Sequence, residues 1–213
     1  MIKGSYLYIN SLLRATRRNL SGSGVMKITS IILTLLLLSF QVNDEEYIYW
    51  SKSNKLKWSY FTSKTSSGNN VKGAYIFTDI NCYADFLGND IKVFVTARMQ
   101  RCNSWVVESD KSDYLLNHEQ RHFDLAEVYS RRIKKELNDF EDLNIKNDDF
   151  EIQFNATVSK LLDEFDKIQT QYDQETKHSH NKVKQTEWDK YIDRQLKIYE
   201  EYSEDSITIV LIN

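Results

Sequence analysis

The second half of the chain shows apolar residues at helical spacing in three separate stretches. From residue 112 onward they recur at steps of three and four residues, which predicts an amphipathic helix with Ser112 or Asp113 as its N-cap. A second helix with a narrow apolar seam is predicted from Phe150 to Tyr172, and a third from about Asn181 to Glu201. The apolar stripe of the first helix comprises Leu115, Leu116, His122, Leu125, Ala126, Tyr129, Ile133 and Leu137.

Shorter segments upstream alternate between apolar and polar residues, which is typical of strands. The clearest segment is 91–97, whose odd-numbered residues are all apolar, and a turn at 88–90 separates it from a second strand at 71–80. Extended segments are also expected at 47–50, 56–61 and 104–107, while residues 207–212 form either a closing strand or a frayed tail. The pattern predicts an α+β fold, with a small antiparallel sheet followed by a three-helix part.

The first predicted helix carries the sequence H-E-x-x-H at residues 118–122. Positions four apart lie on the same helix face, so His118 and His122 can bind one metal ion. Glu119 lies between them and can accept a proton from a water molecule, which makes the trio typical of a zinc hydrolase. The helical part is therefore expected to be zincin-like, with Glu119 as the catalytic base. The alternative is that the two histidines are ordinary core or surface residues and Glu119 is a solvated helical carboxylate.

A catalytic zinc ion usually has three protein ligands and one water molecule, so a third ligand must come from another part of the chain. His178 and His180 follow the second helix, in a connection that can fold back over the two motif histidines. Asp173 and Glu175 are further candidates, whereas Glu127 on the first helix points in another direction.

These segments resemble a family of secreted bacterial proteins that is catalogued as a domain of unknown function and regarded as zinc-dependent proteases. The family pattern reads H-E-Q-x-H-F-D on one helix and Y-D-x-x-T-x-H-G further on, and residues 118–124 and 172–178 match it. The similarity extends over about residues 50–200. Further matches are Trp58, Phe61, Ser104, Trp105, Gln185 and Trp188.

The resemblance implies protease activity and favours His178 over His180 as the third ligand. The predicted zinc ligands are therefore His118, His122 and His178. Ser179 stands where the family pattern has glycine, which costs conformational energy if that position requires a positive φ. Tyr172 is a candidate donor to an oxyanion, although its place in the apolar seam favours a packing role.

Composition and charge favour a globular domain and argue against a nucleic-acid-binding protein. A chain of 213 residues with 41% hydrophobic and 28% charged residues fits one globular domain with its own core. A net charge of -3, with no basic patch interleaved with aromatic residues, argues against a nucleic-acid partner. The sequence does not indicate an oligomeric state.

Residues 26–43 have the features of a signal peptide. A short positive start at Met26–Lys27 precedes an apolar run at 28–42 that is too short to span a bilayer comfortably. Cleavage is expected between about Phe40 and Glu46, and an uncleaved membrane anchor is the alternative. Residues 1–25 indicate either a start assigned too early or an extended n-region. The domain is expected at residues 44–201, followed by a tail at 202–213, with no stable membrane span after cleavage.

Export would place the chain in an oxidising compartment. Cys82 and Cys102, the only two cysteines, then form either one disulfide or two free thiols. The leading hypothesis from the sequence is a secreted or periplasmic zinc-dependent peptidase that acts on a peptide or protein substrate. The alternative is a non-catalytic zinc-binding protein of the cell envelope, in which His118, His122, His178 and His180 together close a structural site.

Overall fold

The computed structural model describes residues 46–64, 72–87, 90–140 and 147–210. The chain divides into a unit of residues 1–44 and a unit of residues 45–213, and the fold below is that of the second unit. The predicted signal peptide and the segment before it lie outside the described residues. Within the described part of the chain, no helix is both long enough and apolar enough to cross a membrane.

The described residues form an α+β fold in which strands precede three helices and a last strand returns to the sheet, which confirms the predicted fold class. The strands are β1 (Tyr47–Tyr49), β2 (Ala74–Tyr75), β3 (Thr78–Leu87), β4 (Asp90–Gln100), β5 (Trp105–Val106) and β6 (Ser206–Val210). The helices are α1 (Asp113–Asn138), α2 (Asn147–Thr176) and α3 (Lys182–Ile198).

Strand β4 is the centre of the main sheet and pairs antiparallel with β1, β3 and β6. Its alternating sequence turns one face toward α1, and the apolar residues on that face are almost fully buried because the helix covers them. Those residues are Ile91, Val93, Val95, Ala97 and Met99. The pairing of β6 with β4 makes residues 206–210 a closing strand rather than a frayed tail. Strands β2 and β5 form a separate two-stranded sheet.

The single strand predicted at 71–80 is instead two strands, β2 and β3, with Ile76 and Phe77 between them. The backbone N–H of Phe77 donates to Ser104 Oγ at 2.9 Å, and the Phe77 carbonyl accepts from the backbone N–H of Gln100 at 2.9 Å. The chain therefore changes its partner from β5 to β4 at this point, although the alternation of the sequence continues. The predicted extended segment at 56–61 also differs, because Trp58–Tyr60 forms one 3-10 turn.

Helix α1 packs against the sheet and against both other helices. Its first turn is capped by Ser112, whose side chain accepts a hydrogen bond from the backbone N–H of Leu115 at 3.2 Å. The predicted seam of α2 is buried from Phe150 to Tyr172 except at Ile168, which is partly buried, and α3 buries Trp188 and Ile192. The helical periodicity of the sequence thus gives the correct inward face for all three helices.

The two cysteines are free thiols. Cys82 lies in β3 opposite Val95, whereas Cys102 lies beyond the end of β4 in the helical turn Arg101–Asn103. Burial raises the pKa of the Cys82 thiol to about 12, so this thiol stays protonated and unreactive at neutral pH. Of the two alternatives that the sequence leaves open, the structure therefore has two free thiols.

Candidate metal centre

His118 and His122 lie one turn apart on the inward face of α1. Their exposed fractions are 2% and 9%, and their ring centroids are 4.9 Å apart with the planes nearly perpendicular. The Tyr172 ring from α2 stacks on His118 at 4.8 Å and meets His122 edge-on at 4.7 Å. Tyr172 therefore packs against both imidazoles.

A carboxylate from α2 completes a group of three possible ligands. Asp173 Oδ1 lies 3.3 Å from His118 Nε2 and 3.1 Å from His122 Nε2. One ligand atom from each of these three residues lies within 4.8 Å of the other two, a spacing at which they could hold a metal ion. Two imidazole nitrogens and a carboxylate oxygen are ligands that suit zinc and other first-row divalent metals. The Asp173 side chain is 31% exposed, so the group is open to solvent on that side.

The charges within this group are strongly coupled. Burial disfavours the Asp173 carboxylate, but hydrogen bonds from His118 and His122 and the charge of His122 outweigh burial and hold its pKa below the usual range. Burial likewise opposes the charged form of His122, while the hydrogen bond and charge of Asp173 raise its pKa. Asp173 is thus an anion at neutral pH and is available as a ligand.

Glu119 lies beside this group without belonging to it. Its side chain is buried, with 3% exposed, and its carboxylate accepts a hydrogen bond from the backbone N–H of Ile76 just after β2. Burial raises the pKa of Glu119, and the nearby charges of His122 and His118 only partly oppose that rise. A carboxylate with a raised pKa is a stronger base, which is the property that proton abstraction from water requires.

The turn that joins α2 to α3 brings His178 to the edge of the group. His178 Nδ1 lies 3.2 Å from Asp173 Oδ1, and its side chain is 76% exposed. Lys177, His178 and Ser179 all have positive φ, at 51°, 49° and 71°. Ser179 therefore does occupy a position that favours glycine. His180 faces elsewhere, because its Nδ1 lies 3.0 Å from the Lys177 carbonyl and 2.9 Å from the His178 carbonyl.

The Tyr172 hydroxyl is enclosed within the protein. It lies 3.2 Å from the His118 carbonyl and 3.1 Å from Gln185 Oε1, and the residue has no exposed surface. Burial raises the pKa of this phenol. These contacts agree with a packing role for Tyr172 rather than with donation to an oxyanion.

Two further polar residues of H-E-Q-x-H-F-D, Gln120 and Asp124, form hydrogen bonds with the segment between β1 and β2. The backbone N–H of Leu56 donates to Gln120 Oε1 at 2.8 Å, and Trp50 Nε1 donates to Asp124 Oδ1, also at 2.8 Å. Gln120 Nε2 itself donates to Asp124 Oδ1 at 2.9 Å. These hydrogen bonds give Gln120 and Asp124 a structural role in the fold.

Gln169 is a residue at the site that the sequence pattern does not single out. Its amide oxygen lies 2.5 Å from His122 Nδ1. It precedes Asp173 by four residues and so shares the face of α2 that carries this carboxylate. Gln169 and Asp173 each follow a residue of the apolar seam, and nothing local in the sequence distinguishes them before α2 packs on α1.

Comparison with known proteins gives one match. A family profile described as "Bacterial protein of unknown function (DUF922)" matches residues 103–181. The matched segment begins in the helical turn after β4 and continues through α1 and α2 to the turn after α2. It therefore includes the whole group of His118, His122 and Asp173, together with Glu119 and His178. No curated protein and no solved structure matches the chain.

Proposed function

We propose that this protein is a zinc-dependent peptidase that acts outside the cytoplasm. The proposal rests on one observation, which is that a buried carboxylate base lies beside a group of metal ligands that is open to solvent. Glu119 is buried next to His118, His122 and Asp173, its backbone contact with Ile76 fixes its position, and the group opens to solvent at Asp173.

His118 and His122 would hold the metal ion through their Nε2 atoms. A catalytic site needs only one third ligand. His178 stays our proposed third ligand, and Asp173 is the alternative that the geometry offers in the same place. Zinc bonds of about 2.0–2.1 Å put neighbouring ligand atoms of a tetrahedral site about 3.3 Å apart. Asp173 Oδ1 lies 3.1–3.3 Å from a nitrogen of each of the three histidines, which is compatible with this spacing.

A bound zinc ion would polarise the scissile carbonyl and make water a nucleophile at neutral pH. In the proposed reaction, a Glu119 carboxylate oxygen accepts one proton from the attacking water molecule. The same oxygen then donates that proton to the nitrogen of the leaving amine, which restores the carboxylate. Burial of Glu119 keeps bulk water away from this proton transfer.

A peptide is the substrate class that the surroundings favour. The backbone N–H of Ile76 binds Glu119, and the adjacent strand β2 pairs only with β5 among the described residues. An extended peptide can add to an exposed strand edge through main-chain hydrogen bonds. Such pairing beside Glu119 would hold a peptide bond next to the base.

The second candidate is a structural zinc site without catalysis. Its support is the position of His178, since His118, His122, Asp173 and His178 together offer four ligands and could close the coordination sphere. In that case Glu119 has no chemical role.

Replacement of Glu119 by glutamine tests the peptidase mechanism. An amide of nearly equal shape cannot take the proton, so Glu119→Gln should keep the metal and the fold but lower peptide hydrolysis by about 10²–10⁴-fold. Metal content and hydrolysis of a broad peptide library are measured on the same preparation, with Glu136→Gln, an exposed position on α1, as the matched control. Full activity in Glu119→Gln would refute the mechanism, and a zinc-loaded wild type that cleaves no peptide would favour the structural site.

The export part of the proposal rests on residues 26–43, which lie outside the described residues. N-terminal sequencing of the mature protein from the producing cell is the test. We expect a mature chain that begins between about Phe40 and Glu46. A chain that begins at Met1 and is found in the cytosol would contradict export.

A further inference from the structure

The ring nitrogens that face away from Asp173 both meet a glutamine amide. His118 Nδ1 lies 3.0 Å from Gln185 Oε1, and His122 Nδ1 lies 2.5 Å from Gln169 Oε1. Gln185 comes from α3 and Gln169 from α2. The Nδ1 atom of His118 is therefore hydrogen-bonded to α3, and that of His122 to α2.

The surroundings of Gln169 fix which end of its amide faces the imidazole. Its Nε2 donates to the carbonyl of His122 at 3.0 Å and to Thr78 Oγ1 at 3.3 Å. A flipped amide would put its oxygen against that carbonyl oxygen, with no proton between the two. Gln169 therefore presents its oxygen to His122 Nδ1, and that nitrogen must carry the proton.

Gln185 is fixed in the same way by a carboxylate. Its Nε2 donates to Asp189 Oδ1 at 2.9 Å, so Oε1 is the end that faces His118 Nδ1. Asp189 is held in turn by Arg121 Nε at 3.1 Å. Arg121, one of the two x positions of H-E-x-x-H, thus supports His118 through Asp189 and Gln185.

We propose that Gln169 and Gln185 are positioning residues, which accept the Nδ1–H of His122 and His118 and thereby aim both Nε2 atoms at one metal ion. The inference rests on the metal-binding part of the proposed function and is independent of peptide hydrolysis. A neutral amide fixes the direction of each ring without adding charge to the site, whereas a carboxylate in the same place would add a negative charge.

Replacement of each glutamine by methionine removes the acceptor and keeps the length of the side chain. In the full-length protein, Gln169→Met and Gln185→Met should each weaken Zn²⁺ binding by about 10–100-fold, as measured by competition with a chromophoric chelator. Gln171→Met is the matched control, because Gln171 lies on α2 with Gln169, is exposed, and donates its side-chain N–H to Glu175. It should leave the affinity unchanged.

Gln169→Glu separates positioning from packing. Its carboxylate can still accept the Nδ1–H of His122, but the donations to the His122 carbonyl and to Thr78 are lost. Zinc affinity should therefore lie clearly above that of Gln169→Met. An affinity of Gln169→Glu as low as that of Gln169→Met would overturn the proposal. Wild-type affinity in both methionine variants would overturn it as well.

A measurement on the wild type does not depend on the folding of any variant. In zinc-loaded protein with ¹⁵N-labelled histidine, we expect two Nδ1–H signals that exchange slowly with solvent, from His118 and His122. Rapid exchange at either ring would overturn the proposal. A wild type that binds zinc but cleaves no peptide would refute only the peptidase, whereas a wild type that binds no zinc would refute both.

Discussion

At the scale of single residues, the turn after α2 brings His178 to the metal group at a cost in backbone strain. Three successive residues adopt left-handed backbone conformations, and none of them is glycine. A non-glycine residue in this conformation costs about 1–2 kcal/mol. The backbone N–H of His178 donates to the Asp173 carbonyl at 3.0 Å, and that of Asn181 donates to the Thr176 carbonyl at 2.7 Å. These bonds help the turn to persist against its strain.

Ser179→Gly should therefore stabilise the protein. Glycine removes the steric cost at a φ of 71°, and the expected gain in the free energy of unfolding is about 1 kcal/mol. Urea unfolding of both proteins measures the gain. Ser203→Gly is the control, because Ser203 has a φ of -77° and should gain nothing from glycine. A Ser179→Gly protein less stable than the wild type would show that the turn is not strained at this residue.

The residues of the site differ in how far the sequence could predict them. His118, Glu119 and His122 follow from local geometry, because helical spacing alone sets their relative positions. Asp173 comes from another helix, and nothing local distinguishes it from its acidic neighbours before α2 is packed on α1. Gln169 is hidden for the same reason.

At the scale of elements, two buried cations connect the second half of α1 to the sheet and to α3 through hydrogen bonds. Arg131 Nε lies 2.7 Å from Glu127 Oε1, and Arg131 also donates to the Leu196 carbonyl at 2.8 Å. Lys134 Nζ donates to the carbonyls of Val95 at 3.3 Å and Glu204 at 2.5 Å. Both cations are buried, and Glu127 is a carboxylate close to them.

Glu127→Ala should destabilise the fold severely. It leaves the buried Arg131 without its carboxylate partner, and breaking a buried pair in this way typically costs about 3–5 kcal/mol. Glu136→Ala, at an exposed position of the same helix, should cost less than about 0.5 kcal/mol. Urea unfolding of the metal-free proteins gives both values. Equal costs for the two substitutions would contradict the role assigned to Glu127.

Elements were predictable from periodicity, but their partners were not. The apolar steps along α1, α2 and α3 give the correct buried faces, because a helix buries one face whatever it packs against. The division between β2 and β3 escaped prediction, since it depends on the contact of Phe77 with Ser104. The pairing of β6 with β4 is likewise a contact between distant parts of the sequence.

At the scale of the whole molecule, the candidate metal centre joins all three helices. The two histidines come from α1, Asp173 from α2, and Gln185 behind His118 from α3. A metal ion that binds the folded state alone should therefore stabilise the entire domain. The expected gain is about 2.7 kcal/mol at a free metal concentration of 100 times Kd.

This stabilisation should depend on pH through His122. Its pKa is raised above the usual 6.5, because burial is outweighed by the hydrogen bond and charge of Asp173. A proton and a metal ion compete for Nε2, so metal affinity falls as pH is lowered through the raised pKa. The protonated histidine also stabilises the metal-free fold below about pH 6.5, and that contribution is lost as pH rises through the folded pKa.

Both effects have the same sign, so the rise in Tm caused by zinc should be larger at about pH 8 than at about pH 5.5. Thermal unfolding with and without zinc at the two pH values measures the difference. His122→Ala should show little zinc effect at either pH. An equal rise in the wild type at both pH values would mean that His122 does not bind the metal.

The claim that His118, His122 and their partners form a metal centre is tested most directly by metal content. Full-length wild type, His118→Ala and His180→Ala are purified from zinc-supplemented cells, and their zinc is measured by mass spectrometry after dialysis. We expect about one zinc ion per chain in the wild type and in His180→Ala, and almost none in His118→Ala. A wild type that retains no more zinc than His118→Ala would contradict the account.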